Sequence, residues 1–162
     1  MKFLYIILII FISCSDKKIE SEENLWNAAK NYRLTKDYKN SITSFKKIIE
    51  NYPNGSYSIE SKFQIADIYL NDIKDYDFAL QNFNEIVKYN TKHPLEKKAL
   101  FMIGYINSNY LDSYTDAINA YSLFIDKYPK DELIPSVEYE LDLLKNYSTI
   151  IDSLNMKDRG GM

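Results

Sequence analysis

The chain contains only one cysteine and one histidine among its 162 residues. A lone cysteine has no intramolecular partner, so the sequence excludes a disulfide framework. One cysteine and one histidine are also too few for a soft-metal site or for a nucleophilic Cys–His pair. The four glycines form no phosphate-cradling loop. These absences predict a protein with no bound metal and no cofactor.

Positive charge is not concentrated in any segment, and the formal net charge is −3. Nucleic acid is therefore a poor candidate partner. His93 precedes Pro94 at a predicted turn, where an exposed polar residue is ordinary. Carboxylate pairs such as Asp72 and Asp75 also fall at predicted turns and helix starts, where capping explains them better than acid–base catalysis. We predict that the chain is not an enzyme and has no small-molecule substrate.

The same residue types return every 38 positions, three times and without an insertion. Asp37-Tyr38, for example, recurs as Asp75-Tyr76 and as Ser113-Tyr114. A period of this length is typical of a stacked repeat protein, in which each unit buries its apolar face against its neighbours. The other repeated positions carry a small residue, an aromatic residue or proline: Ala28, Ala66 and Gly104; Ser41, Ala79 and Ala117; Phe45, Phe83 and Tyr121; Pro53 and Pro129.

Each repeat unit has the pattern of two helices. Phe63, Ala66 and Tyr69 fall at helical spacing, and Ala79 and Phe83 then lie four apart on one face of a second helix. No segment shows the sustained alternation that is typical of strands. The small residues let two helices approach closely, and the aromatic residue fills the groove beside the contact. The sequence predicts an all-α solenoid of three helical hairpins followed by a C-terminal capping helix.

The repeated positions resemble those of the tetratricopeptide repeat family, whose usual period is about 34 residues. The longer period, with the pattern D-Y-x-x-(S/A)-I-x-x-(F/Y)-x-x-(I/F)-I-x-x-Y-P, resembles the outer-membrane lipoprotein branch that includes BamD-like and Tol-Pal-associated proteins. The resemblance covers roughly residues 22–130. It implies a groove, formed by the first helices, that binds a protein or peptide partner. The groove residues that it implies are Ala29, Tyr32, Arg33, Gln64, Asp67, Asn71, Met102, Tyr105, Ser108 and Asn109.

The N-terminus has the pattern of a secretory signal: a basic residue, the apolar run 3–12, and Ser13 before Cys14. The segment 11–14 resembles the bacterial lipobox, which implies cleavage before Cys14 and attachment of acyl chains such as palmitate to its sulfur and amine. By the same resemblance, Ser15 implies sorting to the outer membrane. A transmembrane anchor and an ordinary signal peptide with an incidental cysteine are the alternatives. The apolar run is about half of the roughly 20 residues that span a bilayer.

The predicted organisation follows from these patterns. The sequence predicts a signal peptide over 1–13, the lipidated Cys14 with a polar tether over 14–21, and a repeat domain over 22–155. The repeat units are 22–58, 59–94 and 95–131, followed by the cap 135–155 and a frayed tail over 156–162. The residues predicted to form the apolar face of the cap are Val137, Leu141, Leu144, Ile150, Ile151 and Leu154.

The resemblance and the lipobox pattern together predict a lipid-anchored scaffold at the cell outer membrane, facing the periplasm. Its partner would be a protein or peptide of the cell envelope, and the role would be outer-membrane protein assembly. The alternative is a generic envelope binding module, for cell-wall synthesis, the Tol-Pal system or uptake machinery. A cytosolic chaperone adaptor would require that the first fourteen residues carry no targeting information.

Overall fold

The computed structural model describes residues 20–89 and 93–159, and within these residues the chain forms α-helices and no strand. The all-α prediction is confirmed. A π-helical turn, Ile68–Ile73, continues the helix Ser58–Asp67. Each helix packs mainly against the helices that precede and follow it, so the chain forms three successive hairpins and a final helix. The helices are α1 (Glu22–Leu34), α2 (Tyr38–Asn51), α3 (Ser58–Asp67), α4 (Tyr76–Tyr89), α5 (Pro94–Asn109), α6 (Tyr114–Lys127) and α7 (Ile134–Arg159).

The three hairpin turns share one backbone conformation. Lys36, Lys74 and Asp112 lie 38 residues apart and have φ values of 62°, 62° and 51°. A residue in this left-handed conformation ends a helix, because it turns the chain away from the helix axis. Asp37 and Asp75 follow directly, and their carboxylates accept hydrogen bonds from backbone N–H groups at 3.2 and 3.1 Å. These N-caps start the second helices of units one and two by satisfying a free donor of the first turn, whereas Ser113 of unit three makes no such side-chain bond.

In unit one, the backbone hydrogen bond that closes the hairpin turn spans one residue fewer than in units two and three. The N–H of Asp37 donates to the carbonyl of Tyr32 five residues back, whereas in units two and three the equivalent N–H reaches six residues back. The small residue at the α1–α2 contact is therefore Ala29, which is fully buried, and not Ala28, which is half-exposed. Ser41 marks this contact, since its hydroxyl donates to the carbonyl of Ala29 at 2.9 Å. The assignment of Ala29 to the groove is wrong for the same reason.

The large aromatic residue of each second helix lies in the core. Phe45, Phe83 and Tyr121 are all fully buried. The ring of Phe83 meets that of Phe63 edge-on at 5.2 Å, and the ring of Tyr121 lies 6.0 Å from that of Phe101. These contacts join the two helices of a unit. The buried side chains form one cluster around α1 and α2 and a larger one that extends from α3 to α7.

The second helices of units one and three end before a Tyr-Pro pair. Tyr52 follows α2, and its hydroxyl donates to the carbonyl of Glu20 at 2.9 Å. Tyr128 follows α6, where burial, and then a hydrogen bond to Glu96, raises its pKa to about 12. Glu20 and Glu96 are two repeat lengths apart, so the two tyrosines reach equivalent positions, Tyr52 at a backbone carbonyl and Tyr128 at a side chain. Each ties the end of a second helix to the start of the first helix of its own unit, while Pro53 and Pro129 lie exposed just beyond.

The final helix packs on α6 through the buried side chains of Val137, Leu141 and Leu144. Ile150 is 56% exposed, so the predicted apolar face of the cap does not extend to it. The helix runs to Arg159, and residues 156–159 are helical although the sequence predicted a frayed tail from 156. The first helix-breaking residues are Gly160 and Gly161, which explains the longer helix.

The predicted signal peptide and Cys14 lie outside the described residues, as do the first five residues of the tether after it. Within residues 20–89 and 93–159, no helix combines the length and the hydropathy that crossing a bilayer requires.

Candidate functional site

The first-helix face is the surface formed by the groove residues that the sequence predicted on α1, α3, the π-helical turn and α5. Tyr32 and Arg33 lie in the last turn of α1. Gln64 and Asp67 lie on α3, and Asn71 lies in the π-helical turn that follows. The remaining predicted residues lie on α5: Met102, Tyr105, Ser108 and Asn109. The two ends of this face differ in chemistry.

At the N-terminal end, Arg33 binds three side-chain oxygens through four contacts across the boundary between units one and two. Its Nη2 lies 2.5 Å from Asp67 Oδ2 and 2.7 Å from Asp72 Oδ2. Its Nε and Nη1 donate to Asp72 at 2.8 Å and to Gln64 at 2.9 Å. Asn71 completes the network by donating to the second oxygen of Asp67 at 2.7 Å. Four of the predicted groove residues at this end, Arg33, Gln64, Asp67 and Asn71, thus bind one another, whereas Tyr32 is 39% exposed.

The electrostatics of this network hold Arg33 in place. Burial lowers the pKa of the guanidinium, but the hydrogen bonds and charges of Asp67 and Asp72 outweigh burial and raise the pKa above its ordinary value. The pairs are about a quarter exposed, which places them between a surface ion pair and a desolvated one. A partner that used Arg33 would first have to separate it from two carboxylates. The Arg33 network therefore joins units one and two, and its charged groups are already paired.

At the C-terminal end, the face consists of tyrosine rings. Tyr105 meets Tyr110 edge-on at 5.7 Å, and Tyr110 stacks on Tyr76 at 4.2 Å with the ring planes 10° apart. A hydrogen bond to Tyr110, and then burial, raises the pKa of Tyr105. Asn109 donates its amide to the carbonyl of Tyr105 at 3.0 Å and stays exposed. Met102 is only partly buried against the core, and Ser108 is half-buried beside it.

The sequence prediction stopped at α5, but the face continues onto α7. Leu143 and Tyr147 lie 38 positions after Tyr105 and Asn109, and they are 47% and 45% exposed. Tyr147 also contacts the ring of Tyr114 at 5.0 Å. The charge of Glu140 adds to the raised pKa of Tyr105, so α7 lies close to this end. Extending the 38-residue register into the cap would have found these residues. The accessible part of the face is aromatic and apolar, which suits a peptide or helix of another protein.

The single histidine has a structural position. His93 precedes α5, and its Nδ1 accepts a hydrogen bond from the N–H of Leu95 at 3.2 Å. Asp131, one repeat later, makes the same contact with the N–H of Leu133 at 3.0 Å. His93 therefore caps α5, and Asp131 makes the equivalent contact in the turn just before α7. Among the described residues, no three His, Cys, Asp or Glu side chains converge in a way that would hold a metal ion.

Comparison with known families gives one result. The model of the YfiO family, described as an outer membrane lipoprotein, matches residues 18–150. The match spans all three hairpins and the described core of α7. No curated protein matches the chain.

Proposed function

The chain belongs to the YfiO family of outer membrane lipoproteins, and on that premise we propose that it is a non-enzymatic scaffold that binds other proteins of the bacterial cell envelope. The family match over 18–150 is the observation that carries the proposal. A stack of helical hairpins supports it, because such arrays offer an extended surface for a partner. The process that we assign to it is outer-membrane protein assembly.

The anchor that we propose is a lipid at Cys14. The family match begins four residues after this cysteine, so the matched domain directly follows the predicted attachment site. A diacylglyceryl group in thioether linkage to the sulfur and an acyl group in amide linkage to the new amino terminus would supply more than one chain, which is what stable anchoring requires. The domain would then lie on the periplasmic side of the outer membrane.

Replacing the cysteine tests the anchor. In wild-type cells, we expect the chain in the outer-membrane fraction, with an intact mass that lacks residues 1–13 and carries acyl chains. Cys14→Ser should lose the acyl mass and leave the membrane fraction. Ser13→Ala is the matched control, since it keeps a small residue before the cysteine and should remain anchored. A wild-type chain of unmodified mass would contradict the proposal.

The partner surface that we propose is the C-terminal end of the first-helix face. It offers exposed tyrosine edges and the amide of Asn109, whereas the N-terminal end is occupied by the Arg33 network. Tyrosine suits such a surface because its rigid ring contributes contact area and its hydroxyl a hydrogen bond.

Purification from envelopes tests the scaffold role. We expect the tagged full-length chain, extracted in mild detergent, to recover barrel-assembly components. The double variant Tyr105→Ala, Asn109→Ala should lose them, because it removes a ring and an exposed amide without touching a fully buried side chain. Lys47→Ala, an exposed position on α2, is the control and should retain them. Recovery of cell-wall synthesis or Tol-Pal proteins instead would support the alternative role, and recovery of no envelope protein would refute the scaffold.

A further inference from the structure

Two clefts on the other side of the hairpins repeat in the 38-residue register. Cleft A lies between α2 and α4 with α3 as its floor, and has a cavity volume of about 290 Å³. Cleft B lies between α4 and α6 with α5 as its floor, and has a cavity volume of about 350 Å³. Every residue that lines cleft A has its counterpart 38 positions later in cleft B. None of the predicted groove residues lines either cleft.

Cleft A is rich in hydrogen-bond donors. Lys46 and Lys62 line it from two different helices, and neither forms an ion pair with another described residue. Gln81 adds an exposed amide on the opposite wall. The only carboxylate in the lining is that of Glu85. Cleft A therefore has an excess of positive charge, and it is open to solvent.

The aromatic rings of Tyr69 and Phe78 line the same cleft as these lysines. Phe78 is 51% exposed, whereas Phe83 of the same helix is fully buried. It stacks on Tyr69, with centroids 5.3 Å apart and planes 22° apart. Ile49 and the buried Ile65 continue the apolar surface into the cleft. An exposed apolar ring in the same cleft as two cations without ion-pair partners favours a ligand that covers the ring and supplies a carboxylate.

Cleft B has the same lining register and a different chemistry. Leu100 and Leu123 take the positions of Lys62 and Glu85. Asn84, at the position of Lys46, donates its amide to the carbonyl of Leu80 at 2.9 Å. Asn107 likewise donates to Ile103 at 2.9 Å. Asp116 is the charged residue of the lining. Cleft B therefore lacks the cations of cleft A and serves as an internal control for it.

We propose that cleft A binds a helix of a partner protein that presents a carboxylate beside a large apolar side chain. The apolar side chain enters the cleft against Phe78 and Tyr69, as a knob enters a hole formed by a neighbouring helix. The carboxylate, one turn away on the same face of the partner helix, reaches Lys46 and Lys62. Cleft B excludes this ligand, because Asp116 repels a carboxylate and no cation lines that cleft. This site is additional to the proposed partner surface on the first-helix face.

A pair of synthetic peptides tests cleft A. The acidic probe is an acetylated, amidated alanine-based helix with one photoreactive benzoylphenylalanine and two glutamates on the same face. The basic probe has lysines in place of the glutamates. Binding of each fluorescein-labelled probe to the purified full-length chain in non-ionic detergent is measured by anisotropy. Irradiation and mass spectrometry then map the crosslinked residues. We expect the acidic probe to bind more tightly than the basic one and to crosslink at Tyr69 or Phe78.

Two double variants make the result specific. Lys46→Gln, Lys62→Gln should weaken binding of the acidic probe about tenfold, the combined effect of two partly exposed charge pairs. Lys47→Gln, Asn84→Gln, which changes an exposed lysine outside the cleft and the cleft B counterpart of Lys46, should leave the Kd unchanged. Far-UV circular dichroism checks that both variants stay folded. Equal binding of the two probes, crosslinks at Val87 or Leu123, an unchanged Kd in the first variant, or no binding would each overturn the proposal. The Cys14 and envelope experiments do not depend on any of these outcomes.

Discussion

Phe83→Ala is expected to lower the free energy of unfolding by about 3–5 kcal/mol. The ring is fully buried between the helices of unit two and meets Phe63 edge-on. Its removal loses the transfer free energy of the ring and leaves a cavity that the two helices cannot close. Because a domain is stable by only about 5–15 kcal/mol, this change removes a large fraction of the stability.

Urea denaturation followed by circular dichroism measures the effect. The matched control is Phe78→Ala, five residues earlier on the same helix, whose ring is 51% exposed. Phe78→Ala should lower the free energy of unfolding by about 1 kcal/mol or less, well below the loss expected for Phe83→Ala. Trp26, the only tryptophan, lies in unit one, so its fluorescence reports whether unit one unfolds together with unit two. Equal costs for the two alanine variants would contradict the assignment of Phe83 as the residue that fills the helix contact.

Gly104→Ala is expected to destabilise the protein by about 1–3 kcal/mol, although alanine favours helix by about 1 kcal/mol over glycine. A Cβ at position 104 would lie 2.6 Å from Cδ1 of Tyr121. That ring is fully buried, so it cannot move aside without disturbing the core. The steric term therefore exceeds the gain in helix propensity, and the α5–α6 contact is what requires glycine here.

Measuring Gly104→Ala in a Tyr121→Phe background distinguishes the effect of the Tyr121 ring from that of its hydroxyl. The atoms that would clash with the new Cβ are ring carbons, which phenylalanine retains. Gly104→Ala should therefore cost the same in either background, as judged from thermal melts of the four chains. Tyr121→Phe alone should be neutral or slightly stabilising, because its buried hydroxyl has no hydrogen-bond partner among the described residues. A stabilising Gly104→Ala would show that α5 and α6 are farther apart than the structure has them.

The structure places the predicted groove residues in different environments, and the reason is physical. Its residues were taken at a constant 38-residue spacing, which assumes that every first helix ends in the same way. The one-residue difference at the first turn moves Ala29 into the core and changes the face that α1 presents. The Arg33 network joins residues 31 to 39 positions apart, and no local pattern reports such a pairing. Leu143 and Tyr147, by contrast, follow from the register once α7 is treated as another first helix.

The three hairpins, the helix boundaries at Asp37 and Asp75 and before the Tyr-Pro pairs, and the buried aromatic positions could be predicted from the amino-acid pattern. These features depend on spacing within one repeat, where helical periodicity and capping act locally. The pattern did not predict which small residue meets α2, that Arg33 is held by Asp67 and Asp72, or that Lys46 and Lys62 share a cleft. Those outcomes depend on how neighbouring units stack, and a shift of one residue at a turn changes which side chains meet.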